Sequence, residues 1–384
     1  MQQAISEMSF TDYRDLIRDF TQKELRADED RMESEDSMDP AIVDRMRDLG
    51  LFGISIPREY GGLGWSMTEQ VLLTIEFTQA AAAYRSRFSS TIGLCSQAVL
   101  DHGTEEQRRT WLPAMASGEC TGAFALTEPE AGSDAASART TAVRVGDEYV
   151  INGHKRYITN APIADLFVAF ARTGGDGGEG LSGFLIPAGT PGITVLPQEP
   201  MMGQRGSLST EVLFQDCRVP ADFLLGGVEG NGLRSALRGI NSARTHVAAT
   251  CVGQATRLVE EATTYALGRE QFGQAIADFQ SVENLLADSQ AELLAGRALV
   301  LDCARRFDEG PIPVADIASA KYFCSEMVCR VADRAVQVLG GAGFFTKHPI
   351  SRFYRDVRLF RLFEGTSQIQ QQQIARHLKK AFAG

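Results

Sequence analysis

The feature that most constrains this chain is a change of hydrophobic period along its length. Apolar residues recur at helical spacing in the first third and again from Gly232 to the end. The stretch between them alternates and is broken by glycine and proline. A strand-forming segment set between two helical ones cannot share one bundle or one barrel, so each segment must bury its own apolar face. The 384 residues suit two or three domains of roughly 150 residues each.

Local signals place the elements. Asp39-Pro40 ahead of Ala41-Ile42-Val43 marks a helix start, with proline in the first turn. Ser66 with Glu69, and Thr104 with Gln107, have the spacing of capping boxes. Residues 57–64 (PREYGGLG) read as a turn-rich connection. Beyond Gly122, residues 141–158 alternate, and Asn152-Gly153 predicts a hairpin turn. Residues 166–171, 184–186 and 212–214 read as strands, and the glycines between 174 and 183 as a flexible connection. Residues 279–309 carry Val282, Leu285, Leu286, Leu293 and Leu294 at helical spacing, and residues 314–339 form a second long pattern closed by Gly340-Gly341. Helices of that length pack as bundles. The expected architecture is an α+β multi-domain chain. It has an N-terminal helical domain (1–120), a central antiparallel β-barrel or sandwich domain (121–225) and a C-terminal bundle of long helices (226–384).

Charge and composition exclude several classes of function. Against 38 basic side chains stand 49 acidic ones, a formal net charge of −11. That balance disfavours nucleic acid or an anionic membrane as the main partner. The seven cysteines are scattered without a CxxC pair, as in a reduced protein. The five histidines are far apart, so no metal site is expected. The start of the chain lacks a basic region followed by an apolar run, and no apolar run reaches the ~20 residues of a membrane span. The expected location is cytoplasmic. There is no GxxxxGK[ST] phosphate loop and no GxSxG nucleophile elbow.

Three polar segments remain as candidates for chemistry. Residues 126–134 (LTEPEAGSD) offer amides and hydroxyls to a ring or a phosphate, or form an ordinary turn. Arg269 suits a pyrophosphate, or is a surface cation near a helix C-terminus. Glu364 sits on a Gly-containing turn, with Thr366 placed to cap the next helix.

Taken in order, residues 57–64, 126–134, 152–160 (NGHKRYITN), 269–273, 337–341 and 363–370 (FEGTSQIQ) resemble the acyl-CoA dehydrogenase family over nearly the whole chain. The resemblance implies FAD held between a β domain and a helical bundle, with an acyl-CoA thioester as substrate. Glu364 would abstract the α-proton while the β-hydride passes to flavin N5. Some relatives place the base on the first long helix of the bundle, but Ala243 stands there and cannot accept a proton. The match assigns flavin contacts to Phe124, Leu126, Thr127, Gly132, Ser133, Tyr157, Ile158 and Thr159. Arg269, Gln271, Phe272 and Gln280 would reach the pyrophosphate and adenosine of a neighbouring subunit's FAD. Gln337, Gly340 and Gly341 would lie on the adenine side, and Thr366 and Gln368 near the pyrophosphate. Shared cofactor sites imply an oligomer, in this family a homotetramer arranged as a dimer of dimers. Electron-transferring flavoprotein is the implied electron acceptor.

The acyl group is legible in fewer places. Tyr84-Arg85-Ser86 and Asn241-Ser242-Ala243-Arg244 are similar to segments of glutaryl-CoA dehydrogenases, in which the arginine binds a distal carboxylate. The implied substrate contacts are Arg85, Ser86, Ser133, Asn241, Arg244, Phe363 and Gly365. A dicarboxylyl-CoA such as glutaryl-CoA is one expectation. A short- or medium-chain or branched acyl group without carboxylate recognition is the other. An acyl-CoA oxidase or a non-catalytic flavoprotein on the same scaffold also remains open.

Overall fold

A computed structural model describes residues 5 and 7–383 of the chain. Helices α1 (Phe10–Phe20), α2 (Arg26–Glu35), α3 (Pro40–Asp48), α4 (Met67–Phe77), α5 (Ala83–Ser90), α6 (Ser96–His102) and α7 (Glu105–Ser117) build the first third. Their starts lie where the capping residues stand. Asp39 accepts the Ala41 amide, and both Ser66–Glu69 and Thr104–Gln107 form reciprocal capping boxes. Tyr13, Phe52, Phe77 and Phe88 fill the core of this domain.

Strands β1 (Gly122–Ala125), β2 (Thr141–Val145), β3 (Glu148–Thr159), β4 (Leu166–Arg172), β5 (Leu181–Pro187), β6 (Ile193–Val195) and β7 (Ser209–Pro220) form one seven-stranded sheet. The sheet is mixed rather than purely antiparallel, because β1 and β4 run parallel. The β2–β3 hairpin intervenes between them and lets the chain return in the same direction. The apolar runs of β4 and β5 are buried on both faces. Phe167, Ala169 and Phe184 face the core of the β domain, while Val168, Phe170 and Leu185 pack on Val99, Leu112 and Met115 of the first domain.

Asn152-Gly153 does not make the predicted turn. Strand β3 runs straight through it, and the β2–β3 reversal falls at Gly146-Asp147 instead. The pair marks a register shift against β7. Asn152 exchanges hydrogen bonds with Asp216, and a Cβ on Gly153 would lie 2.2 Å from Thr140 Oγ1. An isolated glycine in a strand marks a close approach or bulge as readily as a turn. Nor is the glycine cluster a loose connection. Arg172 crosses it, donating to the carbonyls of Gly175 and Gly177 on one side and of Ala136 and Ala138 on the other.

Helix α8 (Gly232–Gly268) has 37 residues, a rise of ~56 Å. A two-stranded hairpin follows, β8 (Glu270–Gln271) and β9 (Gln274–Ala275). Then come α9 (Gln280–Glu309), α10 (Val314–Leu339), the one-turn α11 (Gly341–Phe344), α12 (Pro349–Asp356) and α13 (Ser367–Phe382). Val252, Ala255 and Leu258 of α8 pack against Met327, Val328 and Val331 of α10. Helix α8 also touches the other two domains. Leu233 meets Leu181 of the sheet, and Gln254 donates to the carbonyls of Thr78 and Ala80. Among the described residues, no helix is long and apolar enough to cross a membrane.

Candidate active site

The turn carrying Glu364 lies where α8, α10 and α13 converge. Both Glu364 (φ +53°) and Gly365 (φ +86°) are left-handed. For a glutamate that conformation costs on the order of 1–3 kcal/mol and persists only where neighbours fix it. Three side chains do so through the backbone. Arg244 Nε donates to the Glu364 carbonyl at 2.9 Å, Lys321 Nζ to the Gly365 carbonyl at 2.8 Å, and Gln370 Nε2 to both, at 3.1 and 2.9 Å. Thr366 caps α13 by accepting the Ile369 amide, as its position in the sequence predicts.

The carboxyl group of Glu364 is left free. Among the described residues nothing hydrogen-bonds to it, and its amide N–H also has no acceptor. Burial pushes its pKa up to about 7, against the opposing pull of Arg244, Lys321 and Arg85. A carboxyl poised there is ionised for part of the molecules near neutrality and has unengaged lone pairs.

Around it, the guanidinium of Arg85 on α5 donates no hydrogen bond to any described residue, and burial lowers it to about 10. Its one stabilising charge is Glu364. Buried His246 donates from Nε2 to Gln70 Oε1 (3.0 Å), and desolvation, with Arg85 close by, lowers it to about 3, so it is neutral. Asn241 accepts from Arg244 Nη1 at 2.7 Å, which orients the guanidinium. Phe363 stacks on Phe360 with centroids 5.7 Å apart. Ser86 differs from expectation: its hydroxyl is spent on the Ala83 carbonyl of its own helix, while its carbonyl accepts from Asn160. Arg87 is turned away to Thr121 and the Phe52 ring.

On the sheet side, Phe124, Thr127 and Thr159 are half-buried, and Gly132 and Ser133 are exposed on the loop after β1. Tyr157 is left-handed (φ +60°) at a register shift of β3, which leaves its ring 67% exposed. Leu126 and Ile158 are buried, and Ile158 packs in the sheet core, so only its backbone faces outward. A buried ion pair fixes the loop. Lys155 Nζ reaches Glu128 Oε1 at 2.7 Å and the Leu126 carbonyl at 3.1 Å, and Glu128 also accepts the Arg139 and Thr140 amides.

The remaining predicted contacts do not join this group within one chain. Arg269, Gln271, Phe272 and Gln280 are exposed at the far end of α8, Phe272 at 97%. From Arg244 to Gly268 the helix rises ~36 Å. Gln337, Gly340 and Gly341 are exposed at the C-terminal end of α10, ~24 Å along the axis from Lys321. Gln368 is exposed on α13.

Family models for the acyl-CoA dehydrogenase N-terminal, middle and C-terminal domains match residues 10–119, 123–217 and 230–379. The chain belongs to the acyl-CoA dehydrogenase family. Its sequence is 37% identical to the caffeyl-CoA reductase–Etf complex subunit CarC of Acetobacterium woodii, over 96% of this chain and 97% of that one. Among solved structures, butyryl-CoA dehydrogenase from Megasphaera elsdenii superposes with a TM-score of 0.93 at 34% identity, covering 96% of this chain and 97% of that one. A glutaryl-CoA dehydrogenase from Mycobacterium smegmatis gives 0.91 at 32% identity, covering 97% and 96%. The glutaryl-like features are therefore local; over the whole chain the likeness to the butyryl enzyme is at least as close.

As a member of this family the chain is a flavoprotein oxidoreductase acting on CH–CH groups, with FAD as cofactor. The residues fit that cofactor. The Tyr157 ring is uncovered, the Gly132-Ser133 loop is open and Thr159 is half-buried, so an aromatic face, free amides and a hydroxyl are available to a planar ring with polar edges. Lys321, Gln370 and the Lys155–Glu128 pair escaped the sequence reading. For Lys321 a signal was present: a lysine standing on the apolar stripe of Ile317, Cys324 and Val328.

Proposed function

We propose that this chain removes two hydrogens from the α and β carbons of a short-chain acyl-CoA thioester, with Glu364 as the base. The observation that carries this reading is the Glu364 turn. Its backbone is held by three donors while its carboxyl and its amide N–H are left unengaged. The carboxyl takes the α-proton. The free amide suits the thioester carbonyl oxygen, where negative charge develops. FAD, when bound, supplies the acceptor for the β-hydride. Burial of the carboxyl keeps its pKa raised. The short-chain assignment follows the likeness to the butyryl enzyme. In Glu364→Gln, turnover of butyryl-CoA is expected to fall ~10³-fold or more with FAD retained; a variant that keeps its turnover overturns the assignment.

Arg85 favours a second reading, a dicarboxylyl-CoA. A buried guanidinium with no hydrogen-bond acceptor would gain from an anionic acyl end. Arg85→Ala separates the two: on this second reading it erases a preference for glutaryl-CoA over butyryl-CoA, and on the first there is no such preference to erase. Electron transfer to an electron-transferring flavoprotein fits the relative that is named as a subunit of an Etf complex. A cytoplasmic setting fits seven free thiols. A homotetramer fits the separation of the two halves of the expected FAD contacts.

A further inference from the structure

Lys321 is 0% exposed and among the described residues has no carboxylate within ion-pair distance. Its neighbours along α10 are Ile317, Cys324 and Val328, and its one hydrogen bond among the described residues goes to the Gly365 carbonyl. A buried ammonium held by a neutral acceptor is expensive, and an apolar side chain of similar length would pack there at less cost. Gln370 already donates to the same carbonyl, so a hydrogen bond alone does not account for the lysine. What the lysine adds is a positive charge beside the base.

We propose that Lys321 is a positioning residue for the reaction: it clamps the Gly365 carbonyl so that the left-handed turn presents Glu364, and its charge favours the ionised base. The inference rests on Glu364 being the base. The titratable and charged groups facing that carboxyl are Arg244 of α8, Lys321 of α10 and Arg85 of α5. Those facing Lys321 are Cys251 and Arg244 of α8, Glu364 of the turn and Glu326 of α10 itself. Glu326 is engaged by Arg361 and Ser367, at 2.9 and 2.6 Å. Burial lowers the lysine to about 8, so at neutral pH most molecules carry the charge.

The test uses the FAD-loaded enzyme and its kcat/KM against pH with butyryl-CoA. Removing a cation raises the pKa of Glu364, so in Lys321→Met the acid limb moves to higher pH by about one unit. At pH 7, kcat falls roughly tenfold or more, while KM changes by less than about threefold and FAD content is kept. A folded, FAD-loaded Lys321→Met enzyme with limb and kcat unchanged overturns the inference. Should that variant not fold, Gln370→Met carries the test, since it removes the fellow donor and keeps the charge. Its kcat falls with the limb in place, and a limb that moves overturns the inference. Glu364→Gln is run in parallel. Turnover retained there overturns the base assignment and this inference together. Turnover lost there, with a fixed limb in Lys321→Met, overturns this inference alone.

Discussion

Glu364 shows how one residue can serve chemistry at the expense of stability. It is strained at φ +53°, and burial raises its pKa from 4.5 to about 7. A carboxyl raised on folding stabilises the protein fully below its unfolded pKa, and that contribution is lost as pH rises through about 7. By pH 8 the folded protein holds a buried carboxylate at a cost on the order of 3 kcal/mol. Glu364→Gln is therefore expected to melt higher than wild type at pH 8, with the advantage shrinking towards pH 5. Thermal unfolding at the two pH values measures it, and an equal difference at both would show that the carboxyl is not perturbed. Asp356, also raised to about 7 by burial, keeps part of the pH dependence in both proteins. On the proposed base assignment, activity has the opposite sign: it is expected to grow with pH through the same range, because a base works ionised.

At the scale of elements, α8 and strand β3 do most of the placing. Helix α8 passes so close to the end of α4 that a Cβ on Gly253 would lie 2.2 Å from Thr78 Oγ1 and 2.7 Å from the Ile75 carbonyl. Gly253→Ala forces the helices apart and is expected to cost about 1–3 kcal/mol, read as a lower midpoint in denaturant with unchanged slope. Strand β3 holds the 126–134 loop, the proposed flavin contact, through Lys155. Lys155→Met leaves Glu128 buried without its cation, a loss of about 3–5 kcal/mol. The local consequence is loss of FAD, seen as a lower ratio of flavin to protein absorbance at equal protein concentration. A variant that retains full FAD content would show that the loop holds without the pair.

Across the whole molecule, the domains are joined by buried charge as well as by apolar contact. Glu29 of α2 accepts from Arg352 of α12 at 3.0 Å and from the Ala81 amide at 2.7 Å, and lies 3.5 Å from Arg257 of α8. Glu29→Gln removes the carboxylate that Arg352 and Arg257 share, leaving them Asp30 and Glu261 as partners, and a stability loss of about 1–3 kcal/mol is expected from denaturant titration. The proposed assembly makes a prediction at the exposed aromatics: Phe272, Phe344 and Phe345 are 97%, 82% and 70% exposed, near the proposed FAD contacts at the ends of α8 and α10. Phe272→Asp is expected to shift the protein to a smaller species in size-exclusion chromatography and to lower its FAD content together. A shift in neither would place Phe272 outside the interface.

The sequence by itself determined the order of helical, sheet and helical segments, the helix starts at Asp39, Ser66 and Thr104, and the glycine turn that carries Glu364. These are properties of local period, capping and motif, which neighbouring residues encode within a few positions. It misread Asn152-Gly153 as a turn, because glycine serves a reversal and a close backbone approach equally well, and Thr140 comes from elsewhere in the chain. The Ser86 hydroxyl donates within its own helix, a partner that the sequence reading did not anticipate. Only the tertiary structure decided that Arg244, Lys321 and Gln370, from three helices, meet at one turn. It alone also separated the Arg269 and Gln337 contacts from Glu364 by the lengths of α8 and α10. A residue's partners across a bundle depend on helix length and packing angle, and no short stretch of sequence carries those.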